Sequence, residues 1–158
     1  MDSDLDLIIA CTSRRQLMKL LAALRTRLAP FGIRGPSDYA EVLVAEALGG
    51  ERKNAVNQGF DVQVPAFGRI EVKCRTLPPD GRTEERVELG AAKRHGFDYL
   101  CIVVFNVDHS IKGAVMVPYT VAWDRIAQSQ YSRISYKTAI GLEGAYDITD
   151  KVREASLR

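Results

Sequence analysis

Two acidic residues and a lysine lie close together in this chain, in a pattern that suits chemistry on a metal ion. Asp61 is part of the segment GFDVQV, and Glu71 and Lys73 are two residues apart in RIEVKCR. Carboxylate oxygens are ligands that Mg²⁺ and Mn²⁺ prefer, and an ammonium group beside them can neutralise negative charge that develops during a reaction. These residue types therefore indicate a candidate metal-dependent site.

The same stretch, residues 59–75, predicts a β-hairpin that brings these side chains together. Apolar and polar residues alternate in both halves, as in strands with one apolar and one polar face. The loop 66–68 ends in glycine, which suits a three-residue turn. With this loop, Asp61 lies opposite Lys73 and diagonal to Glu71, at separations of roughly 5 and 7 Å. The expected cross-strand pairs are Val64 with Ile70, Val62 with Val72, and Gln63 with Glu71.

This hairpin has two interpretations. Two carboxylates at such a separation, with a cation beside them, can hold a hard divalent metal such as Mg²⁺ or Mn²⁺ rather than zinc. The plainer alternative is a solvated polar face with an incidental ion pair across the strands, because the pattern Glu-x-Lys is common in strands. A helical glutamate next to the hairpin would favour the metal site.

The preceding helix offers such a glutamate. Ser37 is predicted as its N-cap and Gly49-Gly50 as its end, and the helix carries Glu41 and Glu46. At about 100° per residue, Glu41 falls on the shoulder of the buried stripe, whereas Glu46 falls on the far side and is expected to be solvated. Glu41 is therefore the candidate for a third acid. The buried stripe comprises Ala40, Leu43, Val44, Ala47 and Leu48.

The remaining pattern predicts an α/β domain with a mixed β-sheet flanked by helices. The run YLCIVVF is continuously apolar, as expected for a central strand covered on both faces. Leucines recur at helical spacing after an expected N-cap at Ser13, so residues 1–36 are predicted as an N-terminal helical segment and residues 37–158 as the α/β domain. Residues 5–9 fit either an extended arm or a helical turn. Other expected elements are strands at 112–118 and near 134–140, a helix containing Trp123 and Ile126, and short helices at 89–95 and after Thr149.

The composition excludes several classes of protein. The chain has 158 residues, 46% of them hydrophobic, which suits one globular domain with its own core. No apolar run is long enough for a transmembrane helix, and the start MDSDLDLIIA is acidic where a signal peptide is basic, so no membrane association is expected. Cys11, Cys74 and Cys101 are widely separated, which favours a reducing cytoplasm over a disulfide framework or a zinc site. The net charge of +2 neither indicates nor excludes a nucleic-acid partner.

A helical glutamate followed by Asp61 and then by Glu71-x-Lys73 resembles the PD-(D/E)XK nuclease superfamily, which has the restriction-endonuclease-like fold. The resemblance runs from AEVLVAEALGG through GFDVQVPAFGRIEVKCR to YLCIVVF, and covers roughly residues 37–120. The helix is also similar to that of small stand-alone members and of archaeal Holliday-junction resolvases. Phe60 departs from the pattern, because the superfamily motif has proline before the aspartate.

The resemblance implies a core of α-β-β-β-α-β order, Mg²⁺ or Mn²⁺ as cofactor, and hydrolysis of phosphodiester bonds. It implies that Asp61 and Glu71 bind the metal with the carbonyl of Val72 as a further ligand. Glu41 would bind a second metal or a metal-bound water. Lys73 would orient or deprotonate the attacking water and neutralise charge on phosphorus.

The expected function is that of a Mg²⁺-dependent endonuclease that acts on DNA in preference to RNA. A homodimer is a further expectation, because cutting both strands of a duplex needs two active sites. One alternative is a catalytically inactive nuclease-like module that binds nucleic acid or protein, and another is a small subunit whose leucine-rich helix docks onto a larger protein. Arg75 follows the motif, and its position fits a phosphate contact as well as it fits an ordinary surface arginine.

Overall fold

A computed structural model describes residues 3–53, 59–80, 86–89, 96–129 and 132–158 of the chain. Helices and strands alternate along these ranges, and a 3₁₀ turn follows the second helix. The helices are α1 (Ser3–Ala10), α2 (Arg14–Leu28), α3 (Pro36–Leu48), α4 (Tyr119–Ala127), α5 (Tyr136–Ala139) and α6 (Thr149–Ala155). The strands are β1 (Glu51–Arg52), β2 (Val62–Val64), β3 (Gly68–Thr76), β4 (Arg86–Glu88), β5 (Tyr99–Phe105), β6 (Ile111–Pro118), β7 (Arg133–Ser135) and β8 (Tyr146–Asp147).

The main sheet is mixed and has six strands in the order β1-β2-β3-β5-β6-β8. Its neighbouring strands are antiparallel except β3 and β5, which run parallel. A parallel pair needs a long crossover connection, and the chain that links β3 to β5 contains β4, which pairs with β7 in a separate two-stranded ribbon. The prediction of an α/β domain with a mixed sheet flanked by helices is confirmed.

Helices and the ribbon cover the two faces of this sheet. One face packs against α3 and α6, which contribute Leu43 and Val152 to the core. The other face packs against α4, α5 and the β4–β7 ribbon, which contribute Ile126 and Ile134. Alternate residues of β5 enter these two cores, so the prediction that YLCIVVF is a central strand covered on both faces is confirmed.

The loop of the β2–β3 hairpin lies one residue earlier in the chain than the sequence predicted. Val64 pairs with Gly68, so the three-residue loop consists of residues 65–67 and begins one residue earlier than predicted. Gly68 has a φ of 78°, a backbone conformation that glycine adopts without the steric penalty of a side chain. The glycine was correctly expected at a positive φ, but it lies just after the loop and not within it.

This difference moves every cross-strand pair by two residues. Val62 pairs with Ile70 and not with Val72. The predicted position of Asp61 opposite Lys73 was therefore wrong. The alternative of a solvated polar hairpin face also differs from the structure. Strand β3 lies inside the sheet, and both faces of the sheet are covered by packed elements.

Helix α3 begins and ends at residues that suit a helix boundary. Its N-cap is Gly35 and Pro36 is its first residue, so the predicted N-cap at Ser37 was wrong. Proline is well suited to the first helical position, because that position needs no N–H donor and proline has a preset φ. At the other end Gly49 adopts a left-handed conformation, as predicted.

The C-terminal half departs from the predicted order in one strand that is shorter than expected and in α5 and β8, which were not predicted. The expected strand near 134–140 is confined to β7, because Ser135 caps α5 and its Oγ accepts a hydrogen bond of 3.0 Å from the N–H of Thr138. Strand β6 and helices α4 and α6 are present as predicted. Residues 90–95 of the helix expected at 89–95 lie outside the described residues.

The N-terminal helices carry many apolar side chains that the domain does not bury. Ser13 and Gln16 form a capping box at the start of α2, as the sequence predicted for Ser13, and residues 5–9 are helical. No residue of α2 is buried, and its leucines line an open groove of about 590 Å³ with Tyr39 on the other wall. None of the helices in the described ranges combines the length and apolar character that crossing a membrane requires. The exposed apolar residues of this segment are Leu7, Ile8, Ile9, Met18, Leu20, Leu21, Leu24, Leu28 and Phe31.

A chain lacking residues 1–31 should therefore keep its fold. Because α2 buries no residue in the domain, we expect the melting temperature to change by less than about 5 °C, which corresponds to a loss of only about 1–2 kcal/mol in a domain of this size. Circular dichroism and thermal unfolding of the intact and shortened chains provide the measurement. Aggregation or loss of the cooperative transition in the shortened chain would contradict this expectation.

Candidate active site

The carboxylate of Glu71 lies in the interior of the protein. Glu71 is in β3, between β2 and β5, and its exposed fraction is 0%. Its Oε1 accepts a hydrogen bond of 2.6 Å from Nζ of Lys73, which lies two residues further along the same face of the strand. A buried carboxylate is unfavourable unless cations or hydrogen-bond donors balance it, and Lys73 provides one such partner while its own side chain stays partly exposed.

Asp61 is anchored to the edge of β3 beside Glu71. Its Oδ2 accepts a hydrogen bond of 2.8 Å from the N–H of Val72. Its own N–H donates to the carbonyl of Ile70 at 2.9 Å, although Ile70 already pairs with a residue of β2. Two consecutive residues thus face one residue of β3, as at a β-bulge, and a bulge redirects a side chain from the regular alternation.

Asp61, Glu71 and Lys73 are therefore all connected to the short stretch of β3 around Val72. Glu71 and Lys73 flank Val72 in sequence, and Asp61 binds its N–H. The carbonyl of a strand residue leaves the backbone on the same side as its N–H, so the carbonyl of Val72 also points to the side of β3 where Asp61 lies. The structure thus shows two contacts among the predicted site residues, Asp61 with the N–H of Val72 and Lys73 with Glu71.

Glu41 belongs to a different charged cluster, on the layer formed by α3. Its Oε2 accepts a hydrogen bond of 2.6 Å from Nε of Arg52, and Arg52 also contacts Asp38. Burial by itself raises the pKa of Asp38, but hydrogen bonds from Arg34 and Arg52 outweigh this effect and lower the pKa. Glu41 is part-buried, whereas Glu46 is exposed, as the helical periodicity predicted.

This cluster is connected to the candidate site through the backbone. Together with Lys53, Glu41 and Arg52 line a cavity of about 500 Å³. The N–H of Lys53 donates a hydrogen bond of 2.8 Å to the carbonyl of Asp61. The carboxylate of Glu41 thus binds Arg52 in β1. The residue after Arg52, Lys53, binds the backbone of Asp61. Helix α3 packs on the opposite face of the sheet from the one that Glu71 shares with Leu100.

Arg75 is exposed at the end of the same strand. It lies two residues beyond Lys73 and on the same face of β3, beside Val104 of β5. A ligand that lies along this face after Lys73 would meet the guanidinium of Arg75 next.

An ion pair between Arg69 and Asp98 holds the two strands that frame the site. Asp98 Oδ2 accepts a hydrogen bond of 2.8 Å from the N–H of Arg69, and Oδ1 accepts one of 3.1 Å from Nη2. The N–H of Asp98 in turn donates to the carbonyl of Arg69 at 2.7 Å. These contacts join the starts of β3 and β5 and fit the register in which Glu71 lies beside Leu100. A side chain at Gly68 would not fit, because its Cβ would lie 2.5 Å from Asp98 Oδ2.

Several residues that support the site were not predicted from the sequence. Asp98 stands immediately before the apolar run of β5, and an acid at the start of a buried strand was the available signal. Arg52 and Lys53 follow the glycines that end α3, in a short charged stretch that gave no sign of pairing with β2. Their roles depend on strand neighbours that are distant in sequence.

The described residues contain no group of three or more His, Cys, Asp and Glu side chains arranged to hold a metal ion. The acidic part of the candidate site therefore consists of Asp61 and Glu71. The sequence matches no family model and no curated protein. The interpretation of the site consequently depends on its geometry and on the resemblance of its motif.

The Arg69–Asp98 ion pair predicts a pH-dependent stability. Hydrogen bonds from Arg69 lower the pKa of Asp98 below its ordinary value of 3.8, so its stabilisation is present above that pH and is lost as the pH falls through the lowered pKa. The pair is about half exposed, and we expect Asp98→Asn to lower the free energy of unfolding at pH 7 by only about 1 kcal/mol. Urea unfolding over a pH series measures this difference.

The difference between the wild type and Asp98→Asn should disappear in strong acid. Asp150→Asn is a matched control, because Asp150 forms only an exposed pair with Arg153 within one helix turn. A difference between wild type and Asp98→Asn that stays constant at all pH values would contradict this role of the ion pair.

Proposed function

We propose that this protein is a metal-dependent nuclease that hydrolyses phosphodiester bonds in DNA. The observation that carries the proposal is the convergence on Val72: Asp61 binds its N–H, and the Glu71–Lys73 pair flanks it. A carboxylate from one strand and a Glu-x-Lys pair from the next form the motif of the PD-(D/E)XK superfamily. The contacts of Asp61 with Val72 and of Lys73 with Glu71 support this proposal.

The topology also supports this proposal. After α3 the chain forms β1, β2 and β3, which are neighbours in the sheet, and then returns with β5 parallel to β3. The resemblance implies such an order, with a further helix between the third and fourth strands. The residues that would form that helix, 90–95, lie outside the described part of the chain.

The donor groups of the site suit Mg²⁺ or Mn²⁺. Mg²⁺ commonly binds one or two carboxylates and completes its shell with waters and substrate phosphate oxygens. Asp61 and Glu71 supply the carboxylates, and the carbonyl of Val72 is a further oxygen beside them.

Each residue then has a distinct role. When bound, the metal ion would lower the pKa of a water molecule and stabilise negative charge on the phosphate. Asp61 is positioned by the hydrogen bond from Val72, and Glu71 is shielded from water by its burial. Lys73 is partly exposed, and its ammonium group can turn from Glu71 towards the attacking water or the charge that develops on phosphorus. Arg75 would contact a neighbouring phosphate.

A binding module without catalysis is the second candidate. The contact between Lys73 and Glu71 favours it, because this pair neutralises the buried carboxylate within the protein itself. In that case the site would hold nucleic acid or a protein without cutting. Metal binding and cleavage separate the two candidates.

We also propose a homodimeric assembly and a reducing cytoplasm for this protein. Endonuclease action on a duplex suits a homodimer, and the exposed leucines of α2 offer an apolar surface for it. The same surface would serve the alternative in which the chain is a small subunit of a larger protein. The cysteines Cys11, Cys74 and Cys101 are all free thiols in the structure, which is compatible with the proposed reducing cytoplasm.

The first test is the metal-dependent cleavage of DNA. With Mg²⁺ or Mn²⁺ the protein should cut DNA, and a chelator should stop the reaction. We expect Glu71→Gln and Lys73→Ala each to lower the turnover number by a factor on the order of 100 or more, because they remove a metal ligand and a charge-stabilising group. Glu46→Gln is the matched control on the solvent-exposed face of α3.

A second readout does not depend on turnover. Mg²⁺ should raise the melting temperature of the wild type, because a ligand that binds only the folded state stabilises it. Asp61→Asn and Glu71→Gln should lose this shift. Full cleavage by both Glu71→Gln and Lys73→Ala would show that the site is assigned wrongly, and metal binding without cleavage by the wild type would favour the binding module.

The role of Glu41 can be tested separately. If Glu41 binds a second metal or a metal-bound water, Glu41→Gln should lower cleavage about tenfold or more and increase the Mg²⁺ concentration that is required, whereas Glu46→Gln should cut like the wild type. Arg52→Gln removes the partner of Glu41 and reports on the ion pair alone. Equal cleavage by the two glutamate variants would exclude a role for Glu41 in the reaction.

A further inference from the structure

The protein has a second polar cavity outside the candidate active site. It has a volume of about 240 Å³ and lies between the end of α4 and the β4–β7 ribbon. The described residues that line it contain three arginines and no carboxylate. The charged and polar groups that matter for its chemistry are Arg86, Arg125, Arg133, Gln128, Ser129 and Thr138.

The ribbon and α4 direct these arginines to one place. Val87 and Ile134 of the ribbon are buried against the main sheet. Because side chains alternate along a strand, their neighbours Arg86 and Arg133 point away from the sheet. Helix α4 packs on the same side of the sheet, and its exposed Arg125 forms another wall of the cavity.

The electrostatics of the cavity favour an anion. Three guanidinium groups line this one small space, and each of them attracts an anion that enters it. Glu88 pairs with Arg133 from outside the cavity lining. A guanidinium has five N–H donors, so an arginine that pairs with a carboxylate can also bind a phosphate oxygen.

A phosphate group fits these donors better than a larger ligand does. Arginine binds phosphate oxygens in a bidentate way, with a geometry that lysine does not offer. Gln128, Ser129 and Thr138 add neutral polar groups around the same space. The volume is below the roughly 300–1,000 Å³ typical of sites for drug-sized molecules.

The cavity lies on the same side of the main sheet as the candidate active site. The ribbon packs on the face that contains Leu100 and Ile102, and these two residues are the strand partners of Glu71 and Lys73. A polymer that has one phosphate at Lys73 can therefore continue over the same side of the molecule. A free phosphate ion binds at one site at a time, so the position of the cavity relative to Lys73 would not strengthen its binding.

We propose that the arginine cavity, formed by Arg86, Arg125 and Arg133, binds a backbone phosphate of DNA at a distance from the bond that is cut. The proposal rests on the proposed nuclease function and adds a second point of contact for its substrate. Contacts of this kind position the nucleic acid and carry no sequence information. The cavity thus contributes to affinity and to the placement of the strand.

The test uses DNA binding by the full chain over a series of salt concentrations. Fluorescence anisotropy of a short labelled duplex is measured with Glu71→Gln protein, so that cleavage does not interfere. Adding Arg125→Gln or Arg86→Gln should weaken binding about tenfold and reduce the slope of log K against log salt by about 0.9 for one lost phosphate contact. Arg158→Gln, at the exposed C-terminus, is the matched control and should change neither value.

In the active protein the same arginine substitutions should raise KM and leave kcat unchanged, because the contact is equally strong before and during the reaction. If they bind DNA like the Arg158→Gln control while Glu71→Gln still abolishes cleavage, the cavity proposal is wrong and the nuclease proposal stands. If the wild type neither binds nor cuts DNA, both proposals fail.

A free anion is the other source of phosphate for this cavity. Inorganic phosphate should compete with DNA in the wild type, and less so in Arg125→Gln. Phosphate that shifts the NMR signals of the cavity arginines without affecting DNA binding would identify a site for a free anion and would overturn the proposal.

Discussion

The burial of the Glu71 carboxylate is the constraint on which the candidate site depends. Strand β3 lies inside the sheet, and Glu71 has no exposed surface. Placing an ionised carboxylate there is strongly unfavourable unless charges and hydrogen bonds compensate for the lost water. Lys73 approaches Oε1 to 2.6 Å, because residues two positions apart on a strand share the same face. The Glu-x-Lys spacing thus supplies a cation to the buried carboxylate from the same strand.

The surrounding elements determine what else reaches Glu71. Pairing of Asp61 and its neighbour with the single residue Ile70 turns the Asp61 carboxylate towards the N–H of Val72. The Arg69–Asp98 pair joins β3 to β5 at the point where both strands start. Asp61 thus binds the backbone of β3 at Val72, between the two residues of the Glu71–Lys73 pair. In the proposed metal site, substrate phosphate and water would supply the remaining ligands.

Local patterns predicted much of the fold, and long-range contacts account for what they missed. YLCIVVF was identified as a central strand because a strand covered on both faces has no polar side. The contact between Glu71 and Lys73 follows from their local spacing, because residues two positions apart share a face of a strand. The hairpin register was wrong by two residues, since moving a loop by one position changes the strand pairing without changing which residues are apolar. The partnership of Glu41 with Arg52 could not be read from the sequence, because it needs α3 and β1 to be neighbours in space.

The central claim is that Asp61, Glu71 and the carbonyl of Val72 form a binding site for a divalent metal. Anomalous diffraction from crystals soaked in Mn²⁺ tests it most directly, since it locates the metal independently of activity. We expect a peak bounded by these three groups, with Nζ of Lys73 moved away from Glu71 to face the metal-bound water. Crystals that bind Mn²⁺ elsewhere while Lys73 keeps its contact with Glu71 would show that these groups do not form the metal site.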